Sequence, residues 1–108
     1  MVKEIIVIGA GLAGLTCSVK SANKNMHVKL FSPAHSERSQ SVMAMGGINA
    51  ALNTKGEDDS VNEHYKDTIN AGQHINNHNA VEKLTNDAPE IIDWLSKLGT
   101  SFTRDDDG

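Results

Sequence analysis

An α/β fold built on a parallel strand–helix–strand unit is predicted for this 108-residue chain, and three observations predict it. The apolar run Ile5-Ile6-Val7-Ile8 leads directly into Gly9-Ala10-Gly11-Leu12-Ala13-Gly14. An amphipathic helical pattern comes next, and after it a second apolar stretch, Val28-Lys29-Leu30-Phe31. A strand that feeds three glycines at this spacing, then a helix, is the phosphate-gripping turn of a Rossmann-like dinucleotide-binding unit. Gly9 permits the tight turn, Gly11 lets backbone approach a pyrophosphate, and Gly14 allows close packing of helix on strand. The helix start then aims unpaired N–H groups and the positive end of its dipole at the phosphates.

The first helix is expected from Leu12 to about Asn23, with Leu12, Leu15, Val19 and Ala22 as its apolar stripe. Asn23-Lys24-Asn25 supplies the turn, and Ser32-Pro33 ends the second strand. Residues 33–47 read as a long loop with one helical turn near Gln40–Ala44. Ile48–Leu52 fits a short strand or a helical turn, and periodicity does not decide between them. Ser60-Val61-Asn62-Glu63 is a capping box, predicting a helix from Val61 to about Ala71 that stops at Gly72. Asn77 or Asn79 caps the next helix, with Val81, Leu84 and Ala88 inward, and Pro89 breaks it or opens another. Ile91, Leu95 and Leu98 line the inner face up to Gly99, and Phe102 begins a further strand. Two parallel strands leave a doubly wound sheet uncovered, and no third is found before Asp105-Asp106-Asp107-Gly108. The chain therefore reads as incomplete.

Composition narrows the function. Hydrophobic residues make up 38% and aromatic residues 4%, and a chain of this length buries roughly 65% of its unfolded surface. A net charge of −4 argues against nucleic acid or an anionic membrane surface as a partner. No apolar stretch approaches the ~20 residues that span a bilayer, and a strand by residue 5 leaves no room for a signal peptide. The single Cys17 forms no internal disulfide and reads as a small buried hydrophobe in a reducing, cytoplasmic setting.

The identity of the dinucleotide turns on the residues after the second strand. An acidic residue there would bond a ribose hydroxyl, but Ser32 holds the place and the first acid is Glu37. Further on, Arg38-Ser39-Gln40-Ser41-Val42-Met43-Ala44-Met45 ends in the pair Gly46-Gly47. Such a pair lets main chain press against a flat ring such as an isoalloxazine, which favours FAD over a nicotinamide cofactor; an ordinary Gly-Gly turn is the bland alternative.

These residues resemble the flavoprotein subunits of succinate dehydrogenase and fumarate reductase, with L-aspartate oxidase among their relatives. The resemblance rests on the GAGLAG turn, Leu30-Phe31-Ser32, Arg38-Ser39-Gln40-Ser41 and Gly46-Gly47-Ile48-Asn49-Ala50-Ala51-Leu52-Asn53. It continues through Glu63-His64-Tyr65-Lys66-Asp67-Thr68, Ala88-Pro89, and Leu98-Gly99 to Thr103-Arg104-Asp105. It implies that FAD lies along Gly9, Ala10, Gly11, Leu12, Ala13, Gly14, Ser32, Arg38, Ser39, Gln40, Ser41, Ala44, Met45, Gly46 and Gly47.

It further implies that residues 1–108 are the N-terminal part of an FAD domain, with the dicarboxylate-binding domain outside them, so no catalytic residue is assigned. The implied partners are an iron–sulfur subunit and a membrane anchor subunit, with a peripheral seat on the inner face of the cell membrane. Two positions depart from the family. Its membrane-bound enzymes carry a histidine that bonds FAD covalently where this chain has Gln40, an amide without that nucleophilicity, so non-covalent FAD is expected. Met45 stands where the family has Gln or Glu, and a thioether donates no hydrogen bond.

The remaining chemistry-bearing residues read as structural. His74 and His78, four apart, could share a helical face but lack a third metal ligand. His64 reads as a surface or domain contact, Met43 and Met45 as packing residues, and Trp94 as filling a helix interface beside Ile91 and Leu98. The 105–107 acidic run reads as solvated loop. Three functions compete: a succinate- or fumarate-specific flavoenzyme, an L-aspartate oxidase-like enzyme favoured by Gln40, and a dinucleotide-binding module without turnover.

Overall fold

The computed structural model describes residues 3–106, which fall into two compact units divided after Gly47. In the first, strands β1 (Glu4–Ile8) and β2 (His27–Phe31) pair in parallel, in register from Glu4↔His27 to Ile8↔Phe31. Helix α1 (Leu12–Ala22) is the crossover between them. Alternation decides the faces. Val7 is buried and its Cγ1 approaches α1 at Gly14, whereas Ile6 and Ile8 are exposed on the opposite face. Asn25, at φ 57°, makes the left-handed step into β2 that asparagine tolerates well. The strand starts one residue before the predicted Val28 because His27 donates its N–H to Lys3 O at 2.8 Å.

A 3-10 turn at Ser36–Arg38 and the short helix α2 (Gln40–Met43) come next, the latter at the predicted helical turn. The apolar stripe of α1 is less buried than its periodicity suggests. Leu12 and Leu15 are exposed, since two strands are too narrow a sheet to cover the stripe.

In the second unit, Ile48–Leu52 forms neither strand nor helix. Helix α3 (Val61–Ala71) begins where the capping box predicts, with Ser60 Oγ accepting from Glu63 N–H at 3.2 Å. The reciprocal half of the box is replaced: the Glu63 carboxylate accepts from Lys66 Nζ at 2.7 Å. Gly72 ends the helix, and a side chain there would collide with Asn76, whose amide donates back to Thr68 O at 3.3 Å.

Helix α4 (His78–Lys97) packs on α3 and is capped by Asn77, whose Oδ1 accepts from Ala80 N–H at 3.2 Å. Pro89 neither breaks α4 nor starts a new helix. It removes one N–H, but buried Ala88 before it and half-buried Ile91, Ile92 and Leu95 after it hold a single rod together. Leu84 is exposed, and Thr85 takes the inward place with no accessible surface. Its hydroxyl donates to the carbonyls of Val81 and Glu82, so burying it leaves no unmet polar group. Leu98 is exposed as the C-cap, Gly99 turns left-handed at φ 97°, and Phe102 begins no strand among the described residues. The core of this unit is Ile69, Val81, Thr85 and Ala88.

Candidate functional site

The turn between β1 and α1 has the geometry that the glycine spacing calls for. Gly9 sits at φ 105°, a region closed to ordinary side chains, and its N–H donates to Phe31 O at 2.8 Å. That bond ties the turn to the end of β2 and sets Ser32 directly beyond it. Gly14 packs its Cα against the Gly9 carbonyl; a Cβ there would overlap that oxygen. Ala10 is buried, and Gly11 is the N-cap of α1. Gly11 has φ −79° and ψ −177°, torsions open to any residue, so its requirement is space rather than backbone freedom. Leu12 and Ala13 lie in the first turn, where the backbone N–H groups face out of the helix.

The second predicted segment meets this turn at one residue. Ser41, on α2, accepts the Leu12 N–H at 3.0 Å across 29 positions of chain. A Cβ on Gly11 would stand 3.3 Å from the same Oγ. Ser39, the N-cap of α2, buries its Oγ without a hydrogen-bond partner, although its own helix offers N–H groups. Arg38 and Gln40 flank it on the exposed side. Ala44 is the C-cap of α2. Met45 is fully exposed, and neither Gly46 nor Gly47 has a neighbour within 4 Å of its Cβ position. The fold thus brings Gly9–Gly14, Ser32 and Ser41 together, while Arg38 and residues 44–47 form an open flank. The bond from Ser41 to Leu12 escaped sequence reasoning, because neither spacing nor periodicity links residues so far apart.

The residues fit an FAD pyrophosphate and ribose: a glycine turn without side chains, the first amides of an 11-residue helix, and a buried hydroxyl of Ser39 that lacks a partner.

Elsewhere, several expectations change. Met43 and Met45 are exposed rather than packed. Cys17, on α1, is exposed rather than buried. His74 and His78 do not share a helical face: His74 sits at φ 59° in the loop before α4, whereas His78 Nδ1 lies 2.9 Å from the Tyr65 hydroxyl. Among the described residues no three metal-ligating side chains cluster, and no helix is long and apolar enough to cross a membrane. His64 is half-buried beside Asp59, Asp67 and Thr68 in an open cavity of about 470 Å³. Trp94 is half-buried on α4. Asp105 pairs with Lys55, and Asp107 lies outside the described residues.

The FAD binding domain family matches residues 4–108. The succinate dehydrogenase flavoprotein subunit of Bacillus subtilis is 48% identical over 105 residues, covering 97% of this chain and 18% of that protein. The fumarate reductase flavoprotein subunit of Mycobacterium tuberculosis is 37% identical over 107 residues, again 97% and 18%. An L-aspartate oxidase of Pyrococcus furiosus is 34% identical over 100 residues, 93% of this chain and 21% of the enzyme. Among solved structures, the Mycobacterium smegmatis Sdh1 complex superposes with a TM-score of 0.91 at 31% identity, covering 98% of this chain and 18% of that one. The chain therefore spans about a fifth of the length of the relatives it matches.

Proposed function

Because the chain belongs to the FAD binding domain family, we propose that it is the cofactor-gripping N-terminal part of a flavoprotein that interconverts succinate and fumarate. The observation that carries the reading is the turn itself. Gly9 is left-handed, Gly14 is pressed on the Gly9 carbonyl, and the α1 amides are aimed outward within a segment alike in sequence to succinate dehydrogenase. Bound FAD supplies hydride chemistry, and the protein supplies binding and orientation.

In this reading the amides at the start of α1 hold the pyrophosphate, with Gly11 leaving room for it. The Ser32 hydroxyl, at the end of β2, takes the ribose contact that an acidic residue makes in other dinucleotide folds. Ser39 offers its partnerless hydroxyl, and Gly46-Gly47 presents bare main chain to the flavin ring. Gln40 leaves the flavin bound without a covalent link, and Met45 offers no hydrogen-bond donor to tune it.

The dicarboxylate is bound by a domain outside residues 1–108, and electrons pass to an iron–sulfur subunit. A membrane anchor subunit holds the assembly at the cytoplasmic face of the membrane. An L-aspartate oxidase-like activity is the second reading, favoured by Gln40 and by the likeness to the Pyrococcus enzyme.

The full natural polypeptide that carries this sequence tests the proposal. It is expected to purify with flavin and to reduce a dye with succinate, or to reoxidise reduced viologen with fumarate. Purification without flavin, with no binding of added FAD, overturns it; turnover of L-aspartate in place of succinate and fumarate selects the second reading.

A further inference from the structure

Two segments of cofactor-binding character meet through a single side chain, and that contact has a role of its own. Helix α1 starts at Gly11, which has no side chain to cap it, yet the first helical N–H finds an acceptor in Ser41 Oγ at 3.0 Å. A cap normally comes from the residue that opens the helix. Here it comes from 29 residues on, from α2, a four-residue helix joined through Ser39 to the 3-10 turn before it and followed by irregular chain. The bond is therefore as much a tether for the 36–45 segment as a cap for α1.

Gly11 completes the contact. Its torsions suit any residue, but a methyl group there would stand 3.3 Å from Ser41 Oγ, tight enough to push the tether back by a few tenths of an ångström. The Ser41 hydroxyl accepts with its oxygen and still holds a proton to donate. Ser41 is exposed, so that proton has room to meet an anion lying along the helix start. A Leu12 N–H that bonds Ser41 Oγ polarises the O–H and strengthens such a donation.

We propose that Ser41 is a positioning residue for the dinucleotide site. Its hydroxyl pins the second binding segment onto the phosphate turn, and Gly11 lacks a side chain so that this closure can form, in addition to any clearance needed by the pyrophosphate. The inference rests on the FAD reading above and makes a distinct claim: Gly11 and Ser41 are coupled to each other.

The experiment is a double-mutant cycle in the apo form of the full natural polypeptide, read by FAD titration through flavin fluorescence. Ser41→Ala should weaken FAD binding by about fivefold to tenfold, the worth of one cap or hydrogen bond, and Ser41→Thr should restore it. Gly11→Ala should cost at least about threefold less in the Ser41→Ala background than in the wild type. A cycle in which the two losses multiply independently overturns the coupling. Hydrogen exchange at the Leu12 amide, measured without flavin, separates this claim from the functional one. Protection should fall in Ser41→Ala and persist in Ser41→Thr. Equal protection in wild type and Ser41→Ala overturns the tether, whereas failure of the wild type to bind FAD overturns only the cofactor reading.

Discussion

The carbonyl of Gly9 occupies the space in which a side-chain carbon on Gly14 would stand, so the glycine turn and the first turn of α1 touch backbone to backbone. Neither partner gives way easily. Gly9 is held at φ 105° and by its bond to Phe31 O, and Gly14 lies inside a helix.

Gly14→Ala should therefore lower stability by about 1–3 kcal/mol through overpacking and misdirect the amides at the helix start. Urea denaturation of the full polypeptide checks the first effect and flavin content the second. An unchanged midpoint with full flavin would show that α1 can shift from β1 at no cost.

Gln40 makes a chemical prediction. Covalent flavinylation at this position needs an imidazole nitrogen, and an amide lacks that nucleophilicity at neutral pH. FAD should leave the denatured full-length protein on acid precipitation. A fluorescent flavin band that travels with the polypeptide on a denaturing gel would show otherwise.

The caps of the second unit lie on helices that carry none of the residues proposed to hold FAD. Ser60→Ala and Asn77→Ala each remove an acceptor from a helix start, Glu63 N–H in one case and Ala80 N–H in the other. Each should cost about 1 kcal/mol in urea denaturation and leave FAD affinity unchanged. A loss of affinity equal to that of a glycine-turn variant would mean that the two units do not act independently.

Acid sensitivity should be traceable to β1. Lys29 Nζ and His27 Nδ1 both lie on the Glu4 carboxylate, at 2.9 Å and 3.0 Å, and hold its pKa below the ordinary 4.5. A carboxylate that is more acidic when folded adds stability above its unfolded pKa and loses it as pH falls through the folded value. Glu4→Gln should be slightly less stable than the wild type near neutrality and converge with it as pH falls below about 4.5, as thermal melts across pH would read. All three groups are solvent-exposed, so raised salt should mute the difference.

Much of this arrangement was legible in the sequence, for local reasons. The glycine spacing located the turn, the Ser60 cap and the choice of Asn77 or Asn79 located the starts of both later helices, and Gly72 and Gly99 their ends, because each signal is spent within four residues of itself. The features that escaped depend on partners distant in the chain or on competition between neighbours. Pro89 reads as a break, but packing on either side of it carries α4 through. Leu84 outranks Thr85 as a core residue on hydrophobicity alone, yet Thr85 satisfies its hydroxyl within the helix and takes the inner position. Cys17, Met43 and Met45 look like core residues by type, and exposure is a property of neighbours that local pattern does not report.

The one-sided sheet also bears on how the chain folds. The bonds that define the first unit join residues no more than about thirty positions apart, so loop closure is inexpensive and this unit is suited to forming early. Once formed, it displays Ile6, Ile8 and Phe31 on an uncovered face with their strands already in register. A surface of that kind is a template on which further sheet or helix condenses, and until covered it is adhesive to other unfolded chains. The unit that is ready first therefore carries an adhesive face from the moment it forms.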